Sequence, residues 1–293
     1  MKNVVANIII FSLVLGVCVR GEEKSESARP GSAQEKPGAS TGAAEAAADK
    51  VSPELNKLLD RIEKTGAALK SFQADMLFEQ EQLLVDTVTI RKGYLYYRAD
   101  KETVRFRIHF DDWLQKDLEE EATAKPVKFE EDFVFDGLWL TRRNERTKSV
   151  QRWEIAKKPR PREDFRLGKG PFPLPFAIRK ADVLKEFEVK VHQADPNDKN
   201  ETEHLLLKPK KESSYAEEYV NLELWVNDRT ALPQKMRYHS EDDEVTTISW
   251  TKIKTDESIK DEVFELKPAG AGWTTEETPL EESPAEEAEK SES

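Results

Sequence analysis

The chain has 293 residues, 46 of them basic and 58 acidic, for a net charge of −12. A nucleic-acid binder carries a basic footprint, so this balance excludes that class. The one cysteine, Cys18, leaves no pair for a disulfide.

The chain opens MKNVVANIIIFSLVLGVCVRGEE: one Lys, an apolar run from Ile8 to Val19, then small residues and acid. This is the pattern of a secretory signal, too short and wrongly flanked to span a bilayer. Val19-Arg20-Gly21 presents small residues to a signal peptidase, so residues 1–21 are expected to be removed before Glu22. Leu15-Gly16-Val17-Cys18 offers a second reading, a lipobox that would leave Cys18 lipidated, although Val17 stands where that motif wants Gly, Ala or Ser. The first reading makes an exported, soluble protein and the second a membrane-anchored one. Residues 22–52 are rich in Ala, Ser, Glu, Pro and Gly and lack aromatics. Residues 276–293 hold eight glutamates and one lysine. Neither segment offers enough apolar surface to offset chain entropy, so both are expected to be solvated tails around one domain, 53–275.

Within that domain, Ser52-Pro53 is a helix start. Leu55, Leu58, Leu59, Ile62 and Leu69 then recur at helical spacing, predicting an amphipathic helix of four to five turns. Strands follow in series: Phe72–Leu84, Thr87–Lys92, Gly93–Tyr97, Thr103–Phe110, Phe129–Phe135, Leu138–Arg142 and Val150–Ile155. Later come Phe187–His192, Glu203–Lys208, Tyr219–Val226, Gln234–His239 and Glu244–Trp250. Between the two groups lies GKGPFPLPF, Gly168–Phe176, whose three prolines bar it from a central strand. It reads as a packed crossover or as an apolar flap, with a short helix at Arg179–Lys185 after it. The fold class is mainly β (α+β), a strongly curved antiparallel sheet forming an incomplete barrel with an N-terminal amphipathic helix.

The most regular stretch is GYLYYRADKETVRFRIHF. Val104, Phe106, Ile108 and Phe110 alternate with Arg105, Arg107 and His109, the mark of a half-buried strand. Its apolar side is either core or the wall of a cavity. Chemistry is scarce. Gly38-Ala39-Ser40-Thr41-Gly42 matches G-x-S-x-G, but in a linker with no strand before it. The four histidines lack metal-ligand spacing and are expected to face solvent. Acid pairs such as Asp111-Asp112 and Glu130-Glu131 are expected on exposed faces, since only burial would make them acid–base groups. No cofactor, no metal and no enzymatic activity are expected.

The ordered landmarks resemble the LolA/LolB-like lipoprotein-carrier family, in the divergent form of outer-membrane lipoprotein-sorting proteins. Ser71-Phe72-Gln73-Ala74-Asp75 is similar to its S-F-x-A-x-F opening strand. Gly93-Tyr94-Leu95-Tyr96-Tyr97-Arg98 resembles its G-x-L-x-(aromatic)-basic strand. Asp136-Gly137-Leu138-Trp139 resembles its D-G-x-x-L-W turn, shortened by two residues. Leu232-Pro233-Gln234-Lys235-Met236 and Val263-Phe264-Glu265-Leu266-Lys267-Pro268-Ala269-Gly270 are similar to its later strand start and its closing segment.

The resemblance implies an unclosed barrel whose lidded apolar cavity holds acyl chains of lipoproteins or lipids. Such a protein is a monomeric periplasmic carrier passing cargo from an inner-membrane donor to an outer-membrane acceptor. The cavity wall then falls to Tyr94, Tyr96, Val104, Phe106, Ile108, Phe110, Leu138, Leu140, Leu222 and Leu224. Phe172, Leu174 and Phe176 fall to the lid, and Arg98 to the contact that ties lid to barrel. A non-enzymatic envelope sensor or scaffold on the same fold is the alternative. TRRNERTKSVQRWEI, after Trp139, is more basic than a plain carrier needs and points to an interaction surface or a different cargo.

Overall fold

The computed structural model describes residues 52–100, 103–119, 125–159, 165, 174, 176–192 and 201–280. The leader with Cys18, the Gly38–Gly42 match, the linker up to residue 51, Phe172 and residues 281–293 lie outside the described residues.

Helix α1 is Pro53–Ala68. The Ser52 side chain accepts the Leu55 N–H at 3.1 Å, and Pro53 and Glu54 occupy the first turn. The cap satisfies a donor that the first turn leaves unpaired, and the acid suits the positive end of the helix dipole. Leu55, Leu58, Leu59 and Ile62 form its buried stripe. Each fully buried aliphatic side chain contributes ~1.5–3 kcal/mol relative to exposure, so this stripe holds the helix in place.

The strands form one unclosed sheet of twelve. In chain order they are β1 Ser71–Gln82, β2 Thr87–Ala99, β3 Val104–Asp117, β4 Val127–Phe135, β5 Trp139–Asn144 and β6 Ser149–Glu154. Then come β7 Phe187–His192, β8 Thr202–Pro209, β9 Tyr219–Asn227, β10 Pro233–Ser240, β11 Glu244–Thr255 and β12 Thr274–Thr278. A second helix, α2 Lys180–Glu186, precedes β7. The spatial order is β12-β6-β5-β4-β3-β2-β1-β11-β10-β9-β8-β7, so two hairpin meanders meet where β1 pairs with β11. Every neighbouring pair is antiparallel except β12, which runs parallel to β6.

Three local expectations change. Thr87–Lys92 and Gly93–Tyr97 are one strand, carried through Gly93 by a bulge opposite Phe110. A Cβ at Gly93 would fall 1.7 Å from the His109 carbonyl oxygen, so only glycine fits that approach. The third strand runs on past Phe110 to Asp117. The C-terminal boundary expected at Thr275 falls inside a strand, since β12 continues to Thr278.

The inner face of the sheet, on which α1 packs, carries the main core. Phe72, Tyr97, Phe106, Phe135 and Leu140 form a cross-strand row through β1 to β5. Cross-strand aromatic neighbours of this kind are what stabilise a sheet pair by pair.

Candidate functional site

The inner face is an apolar wall, and what covers it comes from separate segments. Phe176 is fully buried and stacks on Phe72 at 5.0 Å between ring centres. It also meets Tyr97 edge-on at 4.6 Å. Phe165 packs on Phe135 at 5.2 Å. Helix α1 approaches the same segment at Gly66, where a Cβ would lie 2.1 Å from the Phe176 carbonyl oxygen. Lys180 ties the start of α2 back to α1, donating its backbone N–H to Glu63 at 3.0 Å and pairing with Asp60 at 2.8 Å.

The structure distributes the residues singled out above as follows. Val104, Phe106, Phe110, Leu140, Leu174, Phe176, Leu222 and Leu224 are buried in one continuous inner-face cluster, with Ile108 packed against it. Leu138 is half-buried in the turn, where Asp136 accepts the Leu138 and Trp139 N–H groups at 2.9 and 2.8 Å. Tyr94 and Tyr96 lie on the opposite, outer face, because Leu95 and Tyr97 are the residues that pair with Ile108 and Phe106. Tyr94 stacks there on His109 at 4.7 Å, and Tyr96 joins a small outer cluster with Val134, Ile259 and Phe264.

Arg98 also points outward. It donates to the Ile259 carbonyl at 2.7 Å, pairs with Asp261 and lies over the Phe264 ring at 5.3 Å. Apart from nearby Asp100, at 3.6 Å, its described partners are in the C-terminal segment, which it straps to the outer face, and not in the helices over the wall. Arg107 adds a 3.0 Å bond to the Val263 carbonyl. Farther along, Trp273 sits on Arg143 at 4.1 Å, and Arg152 pairs with Glu277 of β12. Arg143 and Arg152 of the basic stretch after Trp139 are therefore spent on this strap.

One of the acids expected at the surface is buried. Glu131 is fully enclosed on the inner face, in phase with Phe129, Phe133 and Phe135. It accepts from Arg91 at 3.0 Å, from Arg142 Nε at 2.7 Å and from Asn144 at 2.9 Å. The Arg91 guanidinium lies 5.4 Å from the Phe110 ring centre and 5.8 Å from those of Phe78 and Phe129. Burial pulls it below the usual arginine range; Glu131 opposes this, and the like charge of Arg142 adds to it. The in-phase position of Glu131 among phenylalanines was the readable signal.

On the outer face Asp132 accepts from Arg107 at 2.8 Å and lies 2.8 Å from His109 Nδ1. Burial alone would push His109 down. The Asp132 hydrogen bond, with the charges of Asp132 and Asp111, outweighs it and raises His109 above the ordinary 6.5. Asp132 is likewise pushed up by burial, but its bonds from His109 and Arg107 prevail and hold it below 3.8. The expectation of a solvent-facing His109 is thus corrected: it is buried, with Tyr94 stacked on its ring.

A cavity of about 790 Å³ opens elsewhere, lined by Trp225, Lys235, Ser249, Asn227, Thr251 and neighbours. Trp225, Lys235 and Ser249 are cross-strand partners on the outer side of the sheet, next to the inward row Leu224, Met236 and Ile248, while Leu232, Trp250 and Ile253 of the lining belong to or pack on the main cluster. His204 stacks on Trp225 at 4.1 Å, and the Lys235 ammonium lies 3.8 Å from its ring centre. None of the described residues assigned above to cavity or lid lines it. Among the described residues no helix is long and apolar enough to cross a membrane, and no group of three or more His, Cys, Asp or Glu could hold a metal.

No family model matches the chain, and no curated protein matches it. Among solved structures it is similar to an uncharacterized conserved protein from Thermus thermophilus, at 10% identity and TM-score 0.43, over 77% of this chain and 99% of that one. It is similar to LprF from Mycobacterium bovis at 12% identity and TM-score 0.42, over 75% and 99%. A LolA superfamily protein from Nitrosomonas europaea matches at 13% identity and TM-score 0.29, over 72% and 97%.

Proposed function

We propose that the protein is an exported carrier whose inner face takes the acyl chains of lipoproteins or lipids once helix α1 and the Phe176 segment move aside. The observation that supports this is the composition of the cover. The aromatic row Phe72–Tyr97–Phe106–Phe135 is closed by Phe176, Phe165 and α1, which belong to no strand of the sheet. An acyl chain that displaces them gains ~0.8 kcal/mol per methylene buried, against the packing lost. Transfer of this kind needs only differences in affinity between donor, carrier and acceptor, without a covalent step. Mass spectrometry of lipids extracted from the purified protein tests the reading. Co-purifying acylated species are expected, and a lipid-free protein that also fails to bind a fluorescent acyl probe overturns it.

A second reading is an envelope sensor or scaffold. It is favoured by the 790 Å³ hollow, which is lined by none of the described residues assigned to the acyl-binding wall or its lid. In that case the inner face stays closed under all conditions and no lipid is carried.

A further inference from the structure

The inner face has a polar corner that acyl binding does not use. Arg91, Arg142 and Glu131 stand across the sheet from Phe78, Phe133 and Phe110. The corner thus continues the apolar wall by one or two rows. Arg146, in the turn after β5, is exposed, and its guanidinium lies over the Phe129 ring at 5.8 Å, the same distance as that of Arg91. Two guanidinium groups therefore bond one carboxylate, and a third lies over the same aromatic ring as Arg91, so positive charge exceeds negative among these four side chains.

Glu131 is saturated by its three donors, yet the arginines are not. Arg91 Nε is buried with no hydrogen-bond partner, in a residue 8% exposed. The Arg142 side chain keeps 24% of its surface open. Buried positive charge in excess of its counter-ions is costly, and an added oxyanion relieves it. Guanidinium groups match phosphate and carboxylate oxygens in pairs, so the shape of the unmet donors specifies the ligand class.

We propose that Arg91, Arg142 and Arg146, arranged around Glu131, form an oxyanion site that recognises the phosphate or carboxylate of an anionic lipid headgroup whose chains lie on the adjoining apolar wall. This rests on the carrier reading for the lipid part only. Glu131 acts as the post that holds Arg91 and Arg142 in register, and Arg146 supplies the accessible charge.

The test uses the purified protein with soluble lysophosphatidylglycerol and a neutral, phosphate-free monoacylglycerol of the same chain, both below micelle concentration, and with inorganic phosphate alone. The anionic lipid is expected to bind at least about tenfold more tightly than the neutral one, with a preference that shrinks as salt rises. Arg142→Gln should erase the preference, while Arg142→Lys keeps part of it. Arg146→Gln, at an exposed position that the fold does not need, should cut the preference several-fold with no change in melting. Equal affinity for both lipids overturns the oxyanion site and leaves the carrier reading standing. If neither lipid binds but phosphate raises the melting temperature in the wild type and not in Arg146→Gln, the site holds for a free anion and the carrier reading falls. No binding of any of the three overturns both.

Discussion

Gly66 and the backbone of Phe176 touch so closely that a single methyl group on Gly66 would come within 2.1 Å of the Phe176 carbonyl oxygen and 3.3 Å of its carbon. The neighbour is main chain and cannot rotate away. This contact sets how deep the covering segment sits on the apolar wall.

Gly66→Ala is therefore expected to push the segment off α1. Helix propensity favours alanine by ~1 kcal/mol, but overpacking costs ~1–3 kcal/mol and here meets backbone, so the net change is a loss. A lower melting temperature with faster or tighter uptake of a fluorescent acyl probe would mark Phe176 as a removable cover. Lower melting with no change in uptake would make the contact purely structural.

Phe106 and Ile108 separate a wall that opens from one that does not. Phe106 lies 5.5 Å from Phe135 between ring centres, inside the continuous cluster. Phe106→Ala should cost ~3–5 kcal/mol in the lipid-free protein if the cover stays shut. A loss well below this, found together with weaker acyl binding, is the carrier outcome. Ile108→Asp puts a carboxyl between Leu95 and Phe133 on the apolar face. Unfolding of both variants, read by circular dichroism, would show a core that never opens.

Stability should depend on pH through His109 and Asp132. His109 is raised above 6.5, so its contribution is fully present below that value and is lost as pH climbs through the folded value. Asp132 is held below 3.8, so its contribution is present above 3.8 and is lost as pH falls through its lower folded value. The pair is fully stabilising between about pH 4 and pH 6.5. Denaturant melts should thus weaken above pH 6.5 in the wild type. His109→Gln should flatten that limb and also weaken the acid limb, which Arg107 then sustains alone, and an unchanged alkaline slope would rule this pairing out as its cause.

The C-terminal strap gives the fourth expectation. All five residues of β12 are exposed, and the strand is held by backbone pairing with β6, the Arg152–Glu277 pair and the Leu280 N–H on Glu154 at 3.0 Å. Ending the chain at 280 should leave melting unchanged, whereas ending it at 273 should cost ~1–2 kcal/mol and uncover the β6 edge. Equal melting of the two would show β12 to be dispensable. Arg98→Ala, which frees Ile259 and Asp261, should loosen the strap from its other end.

Local signals carried far because they depend only on neighbours along the chain. The Ser52-Pro53 start, the leucine stripe of α1, the Asp136-Gly137 turn and the alternation of Val104 to Phe110 are all set by capping geometry and a side-chain period of two. The same period placed Glu131 in phase with Phe129 and Phe133, so its burial was readable, though abundant surface acid hid it. The period does not say which phase faces inward. Tyr94 and Tyr96 went outward because Tyr97 pairs with Phe106 and the Gly93 bulge sets that register, a decision made between strands. His109 was beyond reach of any local rule. Its cover is Tyr94, with the Val263 segment held alongside by Arg107, and that segment lies more than 150 residues along the chain from Arg107. Where such a segment returns is settled by packing and loop closure over the whole domain, which no stretch of sequence contains. Sequence alone determined the elements and their apolar phases; tertiary structure decided which phase became core, which charges were buried, and where the C-terminal strap came to rest.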